Sequence, residues 1–103
     1  MEGHDEIIHQ QLRLKIMATL NGLPAPGYIE FPRLRAILEA TDGNLGAHLN
    51  ILEGAGYVQV EKDFVQKKPR TRIRISRLGK AAFDAHIHYL RAIVEGAQIK
   101  PGS

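Results

Sequence analysis

The 103-residue chain contains no cysteine. That excludes a disulfide framework and any thiolate metal site, and it suits a reducing compartment. No apolar run approaches the roughly 20 residues that a membrane span needs. The first eleven residues mix acids, histidines and glutamines and lack the basic-then-apolar layout of a secretory signal. A cytoplasmic protein is therefore expected. Also missing are a Gly-rich phosphate loop, a His-Glu-x-x-His pair and a nucleophile elbow, so no enzyme and no cofactor are expected. Acidic residues are absent between Phe64 and Phe83, where Lys67, Lys68, Arg70, Arg72, Arg74, Arg77 and Lys80 make up half of the 14 Lys and Arg. The rest of the chain holds all 11 acids. The net charge of +3 is mild, but a basic block this concentrated is either the footprint of a polyanion partner or a solvated charge run.

What is present fits one domain over residues 1–103. With 44% apolar residues the chain can build a core. Ile8, Leu12, Ile16 and Leu20 recur at helical spacing and predict a helix over about 5–21, with Ile7, Leu14 and Met17 widening the stripe. After Gly22 and a Pro-Gly loop, Tyr28 to Phe31 is β-prone, enough for one short strand. Pro32 is well placed to open a second helix over about 32–40, with Leu34, Ile37 and Leu38 inward. Thr41 or Asp42 can cap a third helix, which buries Leu45, Leu49 and Leu52 and ends before Gly56. Two short helices joined by a tight turn form a helix-turn-helix over about 32–55.

The period then changes. Val58 and Val60 alternate with Gln59 and Glu61, and Ile73 and Ile75 alternate with Arg72 and Arg74. This predicts two antiparallel strands over about 57–76, linked by a polar, basic segment from Val65 to Arg70. A basic hairpin directly after a helix-turn-helix is a wing. Ser76 is positioned to cap a last helix over about 77–96, and the tail from Lys100 to Ser103 is expected to fray. The fold class is α+β, mostly α: a winged helix-turn-helix with a two-stranded basic wing and an added C-terminal dimerisation helix.

The stretch from Asn44 to Val58 resembles the recognition-helix signature of winged-helix regulators in the MarR and ArsR superfamily. Leu45, His48, Leu49, Leu52, Glu53, Gly56 and Val58 match that pattern. The run from Arg72 to Lys80 is similar to the family's strand-to-helix junction. Gly46 stands where the family often has Ser, and Ala47 where it often has a basic residue. Losing that hydroxyl and charge weakens backbone anchoring at the helix or shifts load to the wing.

The resemblance implies that the third helix lies in the major groove of double-stranded DNA, where base edges carry a full donor and acceptor code. Its outward face offers Asn44, Ala47, His48 and Ile51. Asn44 can pair with an adenine edge or act as a first-turn cap. His48 can read a base, touch a phosphate or be partly buried. In the wing, Lys67, Lys68, Arg70 and Arg72 are expected to meet phosphates or enter the minor groove. Arg74 can equally pair with Glu61 across the hairpin.

The last helix is apolar on two sides, with one stripe of Phe83, Ile87, Leu90 and Val94 and another of Ala82, His86, Tyr89 and Ile93. One stripe serves the core, and the other either needs a partner or packs internally as well. A two-fold homodimer is expected, with Ile7, Leu14, Ala82, His86, Tyr89 and Ile93 at its interface, as the resemblance also implies. Asp84-Ala85-His86 with His88 resembles the start of a metal-ligand motif in some ArsR-type sensors. The remainder of that motif is absent, and two positions apart the histidines point to different sides of a helix, so no metal site is expected. No convergent polar set marks a small-molecule effector site. The rival class is a winged-helix adaptor for protein–protein contact in a larger assembly; the basic wing with exposed Asn44 and His48 favours DNA.

Overall fold

The N-terminal apolar stripe, continuous in the sequence pattern, is broken at one residue in the structure, a computed structural model that describes residues 3–98. Gln10 is extended (φ −64°, ψ 136°) and separates α1 (Glu6–His9) from α2 (Gln11–Asn21). Both helices are capped by side chains. Asp5 Oδ1 accepts from the backbone N–H of Ile7 and Ile8, and Gln10 Oε1 accepts from that of Arg13. The single helix expected over 5–21 is corrected to two because Gln10 supplies a cap of its own. Ile8, Ile16, Met17 and Leu20 are all buried on either side of the break.

After the loop, β1 (Ile29–Glu30) runs into α3 (Phe31–Leu38), with Pro32 in the first turn as expected. Leu34 is fully buried, but Ile37, expected inward, is 51% exposed. α3 stops two residues earlier than expected, at Glu39, which is left-handed at φ 52°. Thr41 then caps α4 (Asp42–Gly54), its Oγ1 accepting from Asn44 N–H at 3.1 Å. Leu45, Leu49 and Leu52 are buried.

β2 (Val58–Val65) and β3 (Lys68–Ile75) pair antiparallel along their whole length. Their link is shorter than the Val65–Arg70 segment expected. It is Gln66-Lys67, both at positive φ (51° and 67°), the geometry of a tight hairpin turn whose twist matches its strands. Pro69 falls within β3, in a stretch where that strand has a neighbour on one side only, the place a sheet tolerates proline. β1 adds a third strand beside Arg72 and Ile73, giving the order β1-β3-β2.

Ser76 Oγ accepts from Gly79 N–H at 2.9 Å and opens α5 (Arg77–Gln98). Gly79 is required there, since a Cβ would lie 2.0 Å from the Tyr57 carbonyl oxygen. The first half of α5 packs Phe83 and His86 into the body, whereas Ile93 and Val94 are 40% and 54% exposed. A 22-residue helix is about 33 Å long, and α5 outruns the core it started on. The molecule measures 64 × 25 × 24 Å, with a radius of gyration of 15.8 Å against about 13 Å for a compact chain of this length. The tail residues Lys100 to Ser103 lie outside the described residues.

Candidate nucleic-acid interface

With Leu45, Leu49 and Leu52 turned inward, α4 leaves Asn44, Ala47, Asn50 and Ile51 exposed and His48 half-buried. The sequence reading named all of these except Asn50, which lies one turn beyond Ala47. A Cβ on Gly46 would meet nothing within 4 Å, so the outer face of the helix is low and open at that point.

His48 is not a loose side chain. The Arg13 guanidinium, reaching across from α2, lies 3.0 Å from His48 Nδ1 and also donates to the carbonyl of Ile7. Arginine has no acceptor, so Nδ1 must accept and the imidazole proton sits on Nε2. His48 therefore offers a donor outward, aimed by a residue 35 positions away. No local signal in the sequence marks Arg13 for this role.

The hairpin divides the cations into two groups. Side chains alternate across its faces. One face continues from Val58, Val60, Ile73 and Ile75, which close the core, to Lys62, Thr71, Phe64 and Pro69. Lys62 and Thr71, with Gly46, Leu49, Asn50 and Glu53, line a cleft of about 520 Å³ between α4 and the sheet. The other face carries Arg70, Arg72 and Arg74 opposite Asp63, Glu61 and Gln59.

On that second face Arg70 and Arg72 are already paired with acids. Arg70 makes two hydrogen bonds to Asp63 (2.9 and 2.6 Å), and Arg72 Nη2 donates to Glu61 Oε1 at 2.7 Å. Tyr28 OH donates to Glu61 Oε2 at 2.9 Å, while Arg72 stacks 4.2 Å from the centre of the Tyr28 ring. Arg74 donates to the Tyr28 hydroxyl at 3.3 Å. The Tyr28 hydrogen bond, followed by Arg72, holds the Glu61 carboxyl below its usual range; Arg70 does the same for Asp63. One expectation is corrected. Arg72, not Arg74, meets Glu61, because the register sets Arg74 opposite Gln59. Arg70 and Arg72 do not stand free, because the hairpin folds two acids of β2 onto the acid-free block. Lys62, Lys67 and Lys68 remain as exposed ammonium groups.

The six residues expected at a partner surface are also split. Ile7, Leu14, Ala82 and Tyr89 are half-buried, and Ile93 is exposed. His86 is completely enclosed by its own chain, which corrects its assignment to an outer stripe. Its Nδ1 accepts from Asp5 N–H at 3.1 Å, so Nε2 holds the proton and faces His9 Nδ1 at 3.4 Å. Burial, followed by the neighbouring His9, pushes the His86 pKa down. Tyr57 OH donates to the Asp5 carboxylate, and that bond, reinforced by burial, raises the phenol to about 12. Among the described residues no three His, Asp or Glu side chains are arranged to hold a metal ion, and no helix is long and apolar enough to cross a membrane.

Known proteins bear on this geometry in three ways. A protein of Methanocaldococcus jannaschii, itself uncharacterized, is 39% identical over 83 residues, spanning 81% of this chain and 87% of that one. A solved structure of a transcriptional regulator homologue from Pyrococcus horikoshii OT3 superposes with a TM-score of 0.83 at 27% identity, covering 92% of this chain and 91% of the other. Residues 12–94, from α2 through most of α5, match the family described as winged helix DNA-binding domain. The chain, with its capped α4 helix and basic hairpin, belongs to the winged helix DNA-binding domain family.

Proposed function

We propose that this protein binds double-stranded DNA in a sequence-specific way as a homodimeric transcriptional regulator. One observation carries the reading. The exposed face of α4, with Asn44, Ala47, Asn50, Ile51 and the Arg13-held His48, stands beside a hairpin that offers Lys62, Lys67 and Lys68. In this reading α4 enters the major groove and the lysines contact phosphates. Asn44 and Asn50 suit adenine edges, and Ala47 and Ile51 suit thymine methyl groups. Arg70 and Arg72 serve chiefly to stiffen the hairpin. Self-association is supported by the distal part of α5, where Ile93 and Val94 lie uncovered on a helix that has left its own core. A dimer through that region would set two α4 helices on half-sites about one helical turn apart.

The test is selection from a pool of random duplex DNA at two salt concentrations, with the mass of the protein measured by sedimentation at micromolar concentration. A palindromic motif, a dimer mass and steep salt dependence are expected. Replacing Lys62, Lys67 and Lys68 together by alanine should weaken binding to all sequences alike. It should also flatten the log–log salt slope by roughly 3 per protomer, at about 0.9 per phosphate contact. An unchanged slope overturns the phosphate assignment, and a monomer mass overturns the self-pairing. No retention at low salt turns the reading toward protein–protein contact.

A further inference from the structure

The apolar face of the hairpin does not end where the core ends. Phe64 continues the row of Val58 and Val60 but is 74% exposed, the highest value among the large apolar side chains described. It sits directly opposite Pro69, two residues before the Gln66-Lys67 turn. Among the described residues no neighbour buries it, and water-exposed phenyl surface does nothing for stability. Its surroundings are cationic. Lys62 lies on the same face, and Lys67 and Lys68 stand at the turn. The nearest acids, Asp63 and Glu61, point to the other face and are held by Arg70 and Arg72.

Lysines alone would suffice to grip a phosphate backbone. An aromatic ring in their midst, next to a proline, fits a polyanion that also has an apolar interior, and stacked bases supply one. Reach and width agree. Five residues beyond Glu61, at about 3.4 Å each, carry the turn about 17 Å from the part of the sheet braced by β1. That is about half a helical turn of DNA, the step from one groove to the next. A two-stranded tip is also narrow enough to approach a minor groove about 6 Å wide.

Resting on the DNA-binding reading above, we propose that the wing tip drives Phe64 into the minor groove flanking the α4 site. There it acts as a wedge that opens one base step and bends the duplex. Apolar wedges of this kind partly unstack a step and kink DNA toward the major groove. The step selected is a flexible pyrimidine–purine step, TA or CA, so Phe64 contributes to sequence choice through deformability, without a hydrogen bond to any base.

The experiment uses the full chain and a duplex of about 30 base pairs recovered from the random pool, long enough to report a kink of tens of degrees. It carries 2-aminopurine at successive flanking positions and a fluorophore pair at its ends. The wild-type protein should raise 2-aminopurine emission at one flanking step and bring the ends closer. Phe64→Ala should abolish both signals and lower affinity by about five- to hundredfold, the range that base–aromatic contact commands on alanine substitution. Phe64→Leu, which keeps a wedge, should retain most of the bend. The thermal midpoint and sedimentation mass of Phe64→Ala should match the wild type. Tight wild-type binding without emission change or bending overturns the wedge and leaves DNA recognition standing. So does a Phe64→Ala protein that bends DNA as before. A changed mass in Phe64→Ala places the ring between two copies of the chain and overturns the wedge too. Absence of any duplex binding by the wild type removes both readings together.

Discussion

One hairpin holds two regions with the same pattern and opposite fates. Near the body, Val58, Ile73 and Ile75 are buried, and β1 lies along the edge of β3. Beyond Glu61 and Arg72 the strands keep the same pairing and alternation, yet Phe64, on the face that Val58 and Ile73 bury, stands in water. Alternation therefore identifies a face; whether that face is buried depends on where the core stops. The proximal half acts on stability; the distal half, in the DNA-binding reading proposed above, acts on contact with the duplex.

The largest effect that bears on this contrast is expected at Ile73, which is fully enclosed. Ile73→Ala should cost about 2–5 kcal/mol, the range for removing a buried aliphatic side chain, read from denaturant unfolding. Phe64→Ala, on the same face, should change stability by about 0.5 kcal/mol or less. Equal losses at the two positions would break the comparison.

Acid sharpens it next, because the body and the hairpin titrate in different windows. The His86 pKa is depressed from its ordinary value of 6.5 by burial and by His9. Between the two values the unfolded chain binds more protons than the folded one. The stability His86 contributes is thus complete above 6.5 and lost as pH falls through the lower, folded value. Glu61 and Asp63 are depressed below 4.5 and 3.8 by Tyr28 and the hairpin arginines, so their contribution begins to be lost only below those values, whereas that of His86 begins to be lost below 6.5. Unfolding free energy measured downward from pH 6.5 should decline before the hairpin pairs dissolve, and Asp63→Asn should leave that first decline in place. If Asp63→Asn removed it, the acid-sensitive region would be the wing.

The smallest effect is expected at the Arg70–Asp63 pair, which is two-pronged but solvent-accessible. Exposed ion pairs contribute little, so a double-mutant cycle on unfolding should return a coupling close to experimental error. The salt slope of DNA binding should stay unchanged in Arg70→Ala. A slope as flattened as that of a lysine variant would mean that the guanidinium leaves Asp63 for phosphate.

Several elements were legible from residues a few positions apart. Thr41 and Ser76 cap the helices they precede, and Leu45, Leu49 and Leu52 form the inner face of α4 as their spacing predicts. The outward set of Asn44, Ala47, His48 and Ile51 follows from the same period. The break at Gln10 was not legible, because helical periodicity tolerates a one-residue interruption that only a side-chain cap reveals. Asn50 was passed over although its spacing from Ala47 already placed it on that face. Ile37 failed for a different reason: its spacing suits an inward position, but among the described residues its side of α3 is covered only in part.

The sequence by itself determined the order of helices and strands, the caps at Thr41 and Ser76, and which face of α4 is apolar. These depend on hydrogen bonds and side-chain spacing within one or two turns of chain. Only the tertiary structure decided which cations are unpaired, that His86 is interior, that Arg13 aims His48, and that Phe64 stands beyond the core. Each of those depends on partners brought together by hairpin register or helix packing. A two-residue turn that was one residue longer would have set different charges opposite one another on the same strands.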